Sequence, residues 1–241
     1  MTSSDATSVF LQLDETPIEL EHDGIVASNR ELIHHTELIH AALALINAVL
    51  RSHKYEQGSD TLVVLRLLVR LFNATNATLK LGRAGYFQPA FSLIRDIVEL
   101  EFLADLFTRD RGHLTQWIAL DDTAREKQFK QVWIRTTLDD LDGLKEKKRA
   151  AVYKMLSKYA AHPSPHGFNI ISPENLTKIG PFPSQIVLTA LLQELAKHFQ
   201  FALFHIIKLL MPLSDDTDPA RIHFTKVLIE WRRLYDNLLR A

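Results

Sequence analysis

Apolar residues recur at three- and four-residue intervals along most of the chain, while two-residue alternation is almost absent. That period belongs to helices that bury one face. Over residues 30–53, Leu32, Ile33, Leu38, Ile39, Ala42, Leu43, Ile46, Val49 and Leu50 keep the helical spacing, with Asn29 placed to cap the first turn. Gly58-Ser59-Asp60 reads as a turn and a cap, opening a second helix over 61–81. Gly82 and Gly85 bracket the next turn, and a third helix follows over 87–107. Pro89 fits its first turn, where the missing N–H has no partner to lose. A fourth helix is predicted over 114–133 and a fifth from Leu138 or Leu144 to Tyr159. Two long helices, 184–210 and 218–239, close the pattern.

The fold class expected is all-α, a single-domain antiparallel bundle of six to eight helices spanning 29–241. Residues 1–28 read as a polar, partly mobile N-terminal segment. The stretch 161–184 holds five of the nine prolines and reads as a long loop before the last two helices. Loops of that length are uncommon in compact domains and often functional, although a plain crossover strap has the same pattern.

Composition narrows the chemistry. With 28 Lys+Arg against 29 Asp+Glu, the chain has no global field to hold nucleic acid, so any such contact needs a local patch. The absence of cysteine removes disulfides, thiolate-bound zinc and thiol nucleophiles. The first residues lack a basic secretory n-region, so a cytoplasmic location is expected. The two most apolar windows, 61–72 and 186–213, are interrupted by Arg66 and Arg70 and by Glu194, Lys197, His198, His205 and Lys208. Central charges are costly in a bilayer, so burial in a bundle, with no membrane partner, is the expectation.

Those interruptions are the first candidate site. Arg66, Arg70, Asn73 and Lys80 share one face of the second helix, and Ser92, Arg95, Asp96 and Glu99 form a polar stripe on the third. Buried charges need partners, so Arg66 or Arg70 is expected to reach Asp96 or Glu99. Such a polar centre is either an internal ion-pair network that fixes helix register or a pocket where arginines grip a phosphate or carboxylate.

Eleven histidines raise the question of metal. Glu31-x-x-His34 and Glu37-x-x-His40 lie on one helix, whereas a di-iron bundle draws such motifs from two. Glu194 and His198 are one turn apart, with His205 two turns on. A carboxylate–histidine metal protein is thus one reading, though no metal ligands are assigned. No phosphate-binding loop, dinucleotide fingerprint, zinc-protease motif or nucleophile elbow is present, so no cofactor is expected.

Tyr153, Ser157, Lys158, Tyr159, His162 and His166 cluster where the fifth helix meets the Pro-rich stretch. Pro163 disfavours helical geometry at His162, so the helix should stop there. A histidine at a helix end is either a cap on exposed carbonyls or a proton-transfer group. The pair Phe91-Ser-Leu-Ile-Arg95-Asp-Ile-Val-Glu99 and Tyr153-x-x-Leu-Ser157-x-x-x-x-His162-Pro163 resembles a family of uncharacterised bacterial all-helical proteins over about residues 60–165. That family is loosely similar to the HEPN superfamily of helical RNA-cleaving and nucleotide-binding domains. HEPN nucleases carry Arg-x(4–6)-His near a late helix and act as dimers. This chain has Lys158-x-x-x-His162 there, and Arg30-x-x-x-x-His35 only on the first predicted helix.

Three functional readings follow. The first is a ligand- or partner-binding module for a small anion, using Arg66, Arg70, Arg95, Asp96, Ser157, Lys158, Tyr159 and His166. The second, implied by the resemblance, is an RNA-directed enzyme with His162 as general acid/base, helped by Arg95 and Glu99. The third is the metal protein. Phe224, Val227, Leu228, Trp231, Leu234 and Tyr235 give the last helix a broad apolar face for the bundle or for a second copy, hence an expected homodimer.

Overall fold

The computed structural model describes residues 13–54, 57–144, 148–161, 165, 167–172, 176–178 and 180–240. Among them it is all helical, with ten α-helices and no strand. In chain order these are α1 (Thr16–Ser28), α2 (Arg30–Ser52), α3 (Asp60–Arg83), α4 (Phe87–Arg109), α5 (Arg111–Ala119), α6 (Asp122–Gln128), α7 (Gln131–Leu141), α8 (Lys148–Leu156), α9 (Gln185–Leu210) and α10 (Asp218–Arg240). A π turn, Ser157–Ala161, extends α8, and a 3-10 turn covers Gly167–Ile171.

Local chemistry sets several of these starts. Asn29 Oδ1 accepts from the amides of Glu31 and Leu32, Ser59 Oγ from Leu62, and Ser184 Oγ from Val187. The centre is α9, which packs against α4, α3 and α2. Its buried residues run almost all round, from Leu188, Leu191 and Leu195 to Phe199, Leu203 and Ile206. The facing side of α4 contributes Phe87, Ile94, Ile97 and Phe102. α10 lies on α2 and buries Trp231 and Phe224 there, so part of its apolar face is used inside the chain.

The helix count exceeds the six to eight expected, for two reasons. Residues 16–28, placed in the polar N-terminal segment, form α1. The predicted fourth helix is three: it breaks at Leu120, where Arg125 donates to the carbonyls of Trp117 (2.8 Å) and Leu120, and again between Phe129 and Lys130. Within the Pro-rich stretch 161–184, residues 162–164, 166, 173–175 and 179 lie outside the described residues, and the rest includes the 3-10 turn Gly167–Ile171. By length and composition alone, α2 and α3 are apolar enough to cross a membrane, but 56% and 44% of their apolar windows are buried inside the fold.

Candidate functional site

α4 carries Arg95 and Glu99 one turn apart, and their side chains pair at 2.9 Å. Tyr153 of α8 inserts its hydroxyl into the pair: it donates to Glu99 Oε1 at 3.0 Å and accepts from Arg95 Nη2. α7 supplies a second guanidinium, Arg135, stacked 4.0 Å from the centre of the Tyr153 ring, while Arg95 lies 4.9 Å from it. One phenol is therefore bracketed by two cations and tied to one carboxylate. Burial works against the Arg95 charge, but the Tyr153 hydroxyl and Glu99 outweigh it and hold its pKa above the ordinary arginine value.

The π turn closes one end of this cluster. Its wider backbone frees the carbonyl of Ala160, which accepts from Gln88 Nε2 (2.5 Å) and Ser92 Oγ (2.9 Å) of α4. Such π segments often mark functional sites. Several polar atoms here are buried with no partner: Arg95 Nε, Arg135 Nε and Nη1, Gln131 Oε1 and Ser157 Oγ. No carboxylate among the described residues pairs with Arg135.

Most other buried charges sit in networks, Arg232 excepted, whose Nη2 donates to Gln200 Oε1 at 2.6 Å while its Nε has no hydrogen-bond partner. Arg149 reaches Asp139 at 2.8 Å, Asp142 at 2.5 Å and Asp105 at 3.5 Å, and Arg109 pairs with Asp105 and Asp142 at 2.9 and 3.0 Å. His198, within the core, has Glu101 at 2.7 Å from Nδ1 and Glu194 at 3.3 Å from Nε2. Burial would pull its pKa down, but the two carboxylates prevail and push it up to about 9, so the ring is an imidazolium at neutral pH. His205 goes the other way, lowered by burial despite Asp105. Among the described residues, no group of three or more His, Asp or Glu side chains is arranged to hold a metal ion.

The expected residues fall into three groups. Arg95 and Glu99 sit at the centre, with Ser157 half-buried at the start of the π turn. Arg70 pairs with Asp96, as the face pattern predicted, but the expected burial does not hold: Arg66 and Arg70 are exposed, the latter 63% by side chain. The α3 face that carries them looks outward over an open cavity of about 490 Å3 floored by Ala74 and Leu93. Glu99 still acts on Arg70 electrostatically, so the cavity and the centre are electrostatic neighbours. Lys158 is exposed. His162, His166 and the side chain of Tyr159 lie outside the described residues. Arg135 and Gln131 are additions, and the only signal for them was their one-turn spacing. Glu101, the closest partner of His198, is another.

Comparison with known proteins found no match: no family model, curated protein or solved structure corresponds to this chain.

Proposed function

We propose that the protein is a ligand-binding helical module whose polar centre of Arg95, Glu99, Arg135 and Tyr153 takes a small anion of the phosphate or carboxylate class. The observation that carries this reading is the set of unpaired guanidinium N–H groups that Arg95 and Arg135 bring together around Tyr153, whereas the half-buried Arg149 is surrounded by carboxylates. Buried donors without acceptors are rare in native folds, and a ligand oxyanion satisfies them. The planar fork of arginine matches such an anion through paired hydrogen bonds. Two cations against one carboxylate leave the centre a net positive charge to be balanced.

Calorimetric titration with inorganic phosphate, pyrophosphate and citrate tests the reading. At 100-fold its dissociation constant, a bound anion adds about 2.7 kcal/mol of stability, visible as a thermal shift. Arg135→Gln is expected to weaken binding by about tenfold or more, since it removes a charged hydrogen-bonding partner. Wild-type protein with no heat and no shift for any of the three would refute it.

A second reading rests on the neighbouring cavity, which adds Arg66 and an Arg70 paired with Asp96 to the arginines of the centre. It makes the ligand an RNA phosphodiester and gives His162 proton transfer, as the HEPN resemblance implies. RNA cleavage that is lost in His162→Ala, with anion binding retained, would favour it over the first.

A further inference from the structure

α1 rests on the bundle through few side chains, Ile25 and Val26 among them, both half-buried. Its single buried residue is His22, whose Nδ1 donates to the carbonyl of Arg83 (2.8 Å) and whose Nε2 accepts from the amide of Ser184 (3.1 Å). Ion pairs from Glu19 and Asp23 to Arg83, both 2.7 Å, tie the same turn to α3. Beyond these ties, α1 spans a cavity of about 380 Å3 between itself, α2, α3 and α9. Its walls are Val26, Leu79, Leu188, Leu191 and Leu192. The space is a groove open to solvent on one side, its leucine wall is apolar, and its size falls within the range of small-molecule sites.

The polar side chains around it are nearly all engaged elsewhere. Thr36 donates to the carbonyl of Leu32, Asp23 and Arg83 hold each other, and both nitrogens of His22 are used. The exception is the exposed ring of His40, which has no partner among the described residues. The nearby charges cancel, with Glu19 and Asp23 facing Lys80 and Arg83. We infer that this cavity is a binding site for a small neutral amphiphile, an apolar chain or ring with one hydroxyl head that hydrogen-bonds His40. An uncharged hydroxyl suits an imidazole, which offers one donor and one acceptor, in a setting without net charge to neutralise. The site shares no residue with the arginine centre and stands whether or not that centre binds an anion.

Octanol, octanoate and 4-propylphenol are the test ligands, read by the methyl shifts of leucine-labelled protein. Octanol and propylphenol are expected to shift the methyls of Leu188, Leu191 and Leu192 saturably, and octanoate to bind about tenfold or more weakly. Ala27→Phe, a substitution at an exposed helix position lining the cavity, is expected to abolish the shifts while leaving the melting temperature within a few degrees of wild type. His40→Ala is expected to weaken the neutral compounds and leave the fold intact. No saturable shift up to the solubility limit overturns the inference. So do shifts that persist in Ala27→Phe, and so does binding of octanoate alone.

Discussion

His198 holds its charge inside the core only because Glu101 and Glu194 flank the ring, and the consequence is a stability that depends on alkaline pH. An imidazolium with a pKa of about 9 contributes fully below the ordinary histidine value of 6.5 and loses that contribution as the pH rises through about 9. The loss is on the order of 3 kcal/mol. Urea unfolding from pH 6 to 10 should show this decline in wild type and a flat profile in His198→Gln; parallel profiles would dismiss the imidazolium. Glu194 acts in the opposite sense: burial disfavours its charge, yet His198 keeps its pKa below the ordinary value, so its contribution disappears only as the pH falls through that lowered range. His35 is the uncharged counterpart. Burial lowers its pKa against the pull of Glu31, and Trp231 Nε1 donates to its Nδ1 at 2.8 Å. Trp231→Phe keeps the ring packing and removes the donor, for an expected cost of about 1–3 kcal/mol in denaturant unfolding.

Between elements, the tightest joint is the α3–α4 turn. Gly85 has φ +86°, and a Cβ there would lie 2.6 Å from the carbonyl oxygen and 2.8 Å from the nitrogen of Phe182. Both are backbone atoms and cannot rotate away. Gly58 has nearly the same φ, +82°, with nothing within 4 Å. Gly58→Ala should therefore cost only the left-handed strain, about 1 kcal/mol, and Gly85→Ala clearly more, about 3 kcal/mol or above. Equal costs in chemical denaturation would show that the turn is not pressed against the Phe182 backbone. The same contrast explains what could be read from the sequence. Asn29, Ser59 and Ser184 cap their helices with their own side chains, so those starts are written locally. The break after α5 contains neither glycine nor proline; it is made by Arg125 folding back onto two carbonyls, which no periodicity reveals. α1 is held by Arg83 and Lys80, more than sixty positions away, and its own pattern is weak. At the polar centre, Arg95, Glu99 and Tyr153 were visible as a spaced motif. Arg135 was not, because it fell between the predicted fourth and fifth helices, and the exposure of Arg66 was hidden by the apolar residues around it.

Across the whole molecule, α9 is the shaft on which α2, α3 and α4 are assembled, and α10 covers α2. The outer edge of α10 leaves Ile222 and Ile229 exposed, 53% and 64%. The homodimer was expected on the face of Phe224, Val227, Leu228, Trp231, Leu234 and Tyr235; with Phe224 and Trp231 buried inside the chain, this edge is what is left to offer a second copy. Light scattering should give twice the 27.6 kDa chain mass for wild type and a single mass for Ile229→Glu. A monomeric wild type would end it. The joints between first and last helices carry a different consequence. His35 meets Trp231 across 196 positions, His34 meets Tyr235 across 201, and His22 meets Ser184 across 162. A ribosome releases α1 and α2 long before any of these partners exists. Until α9 and α10 emerge, α4 can cover part of α3, but the leucines of α2 and α3 that face α9 and α10 stay exposed. Completion of this fold thus waits for its last two long helices, and the interval before they emerge is when the chain has most need of a chaperone.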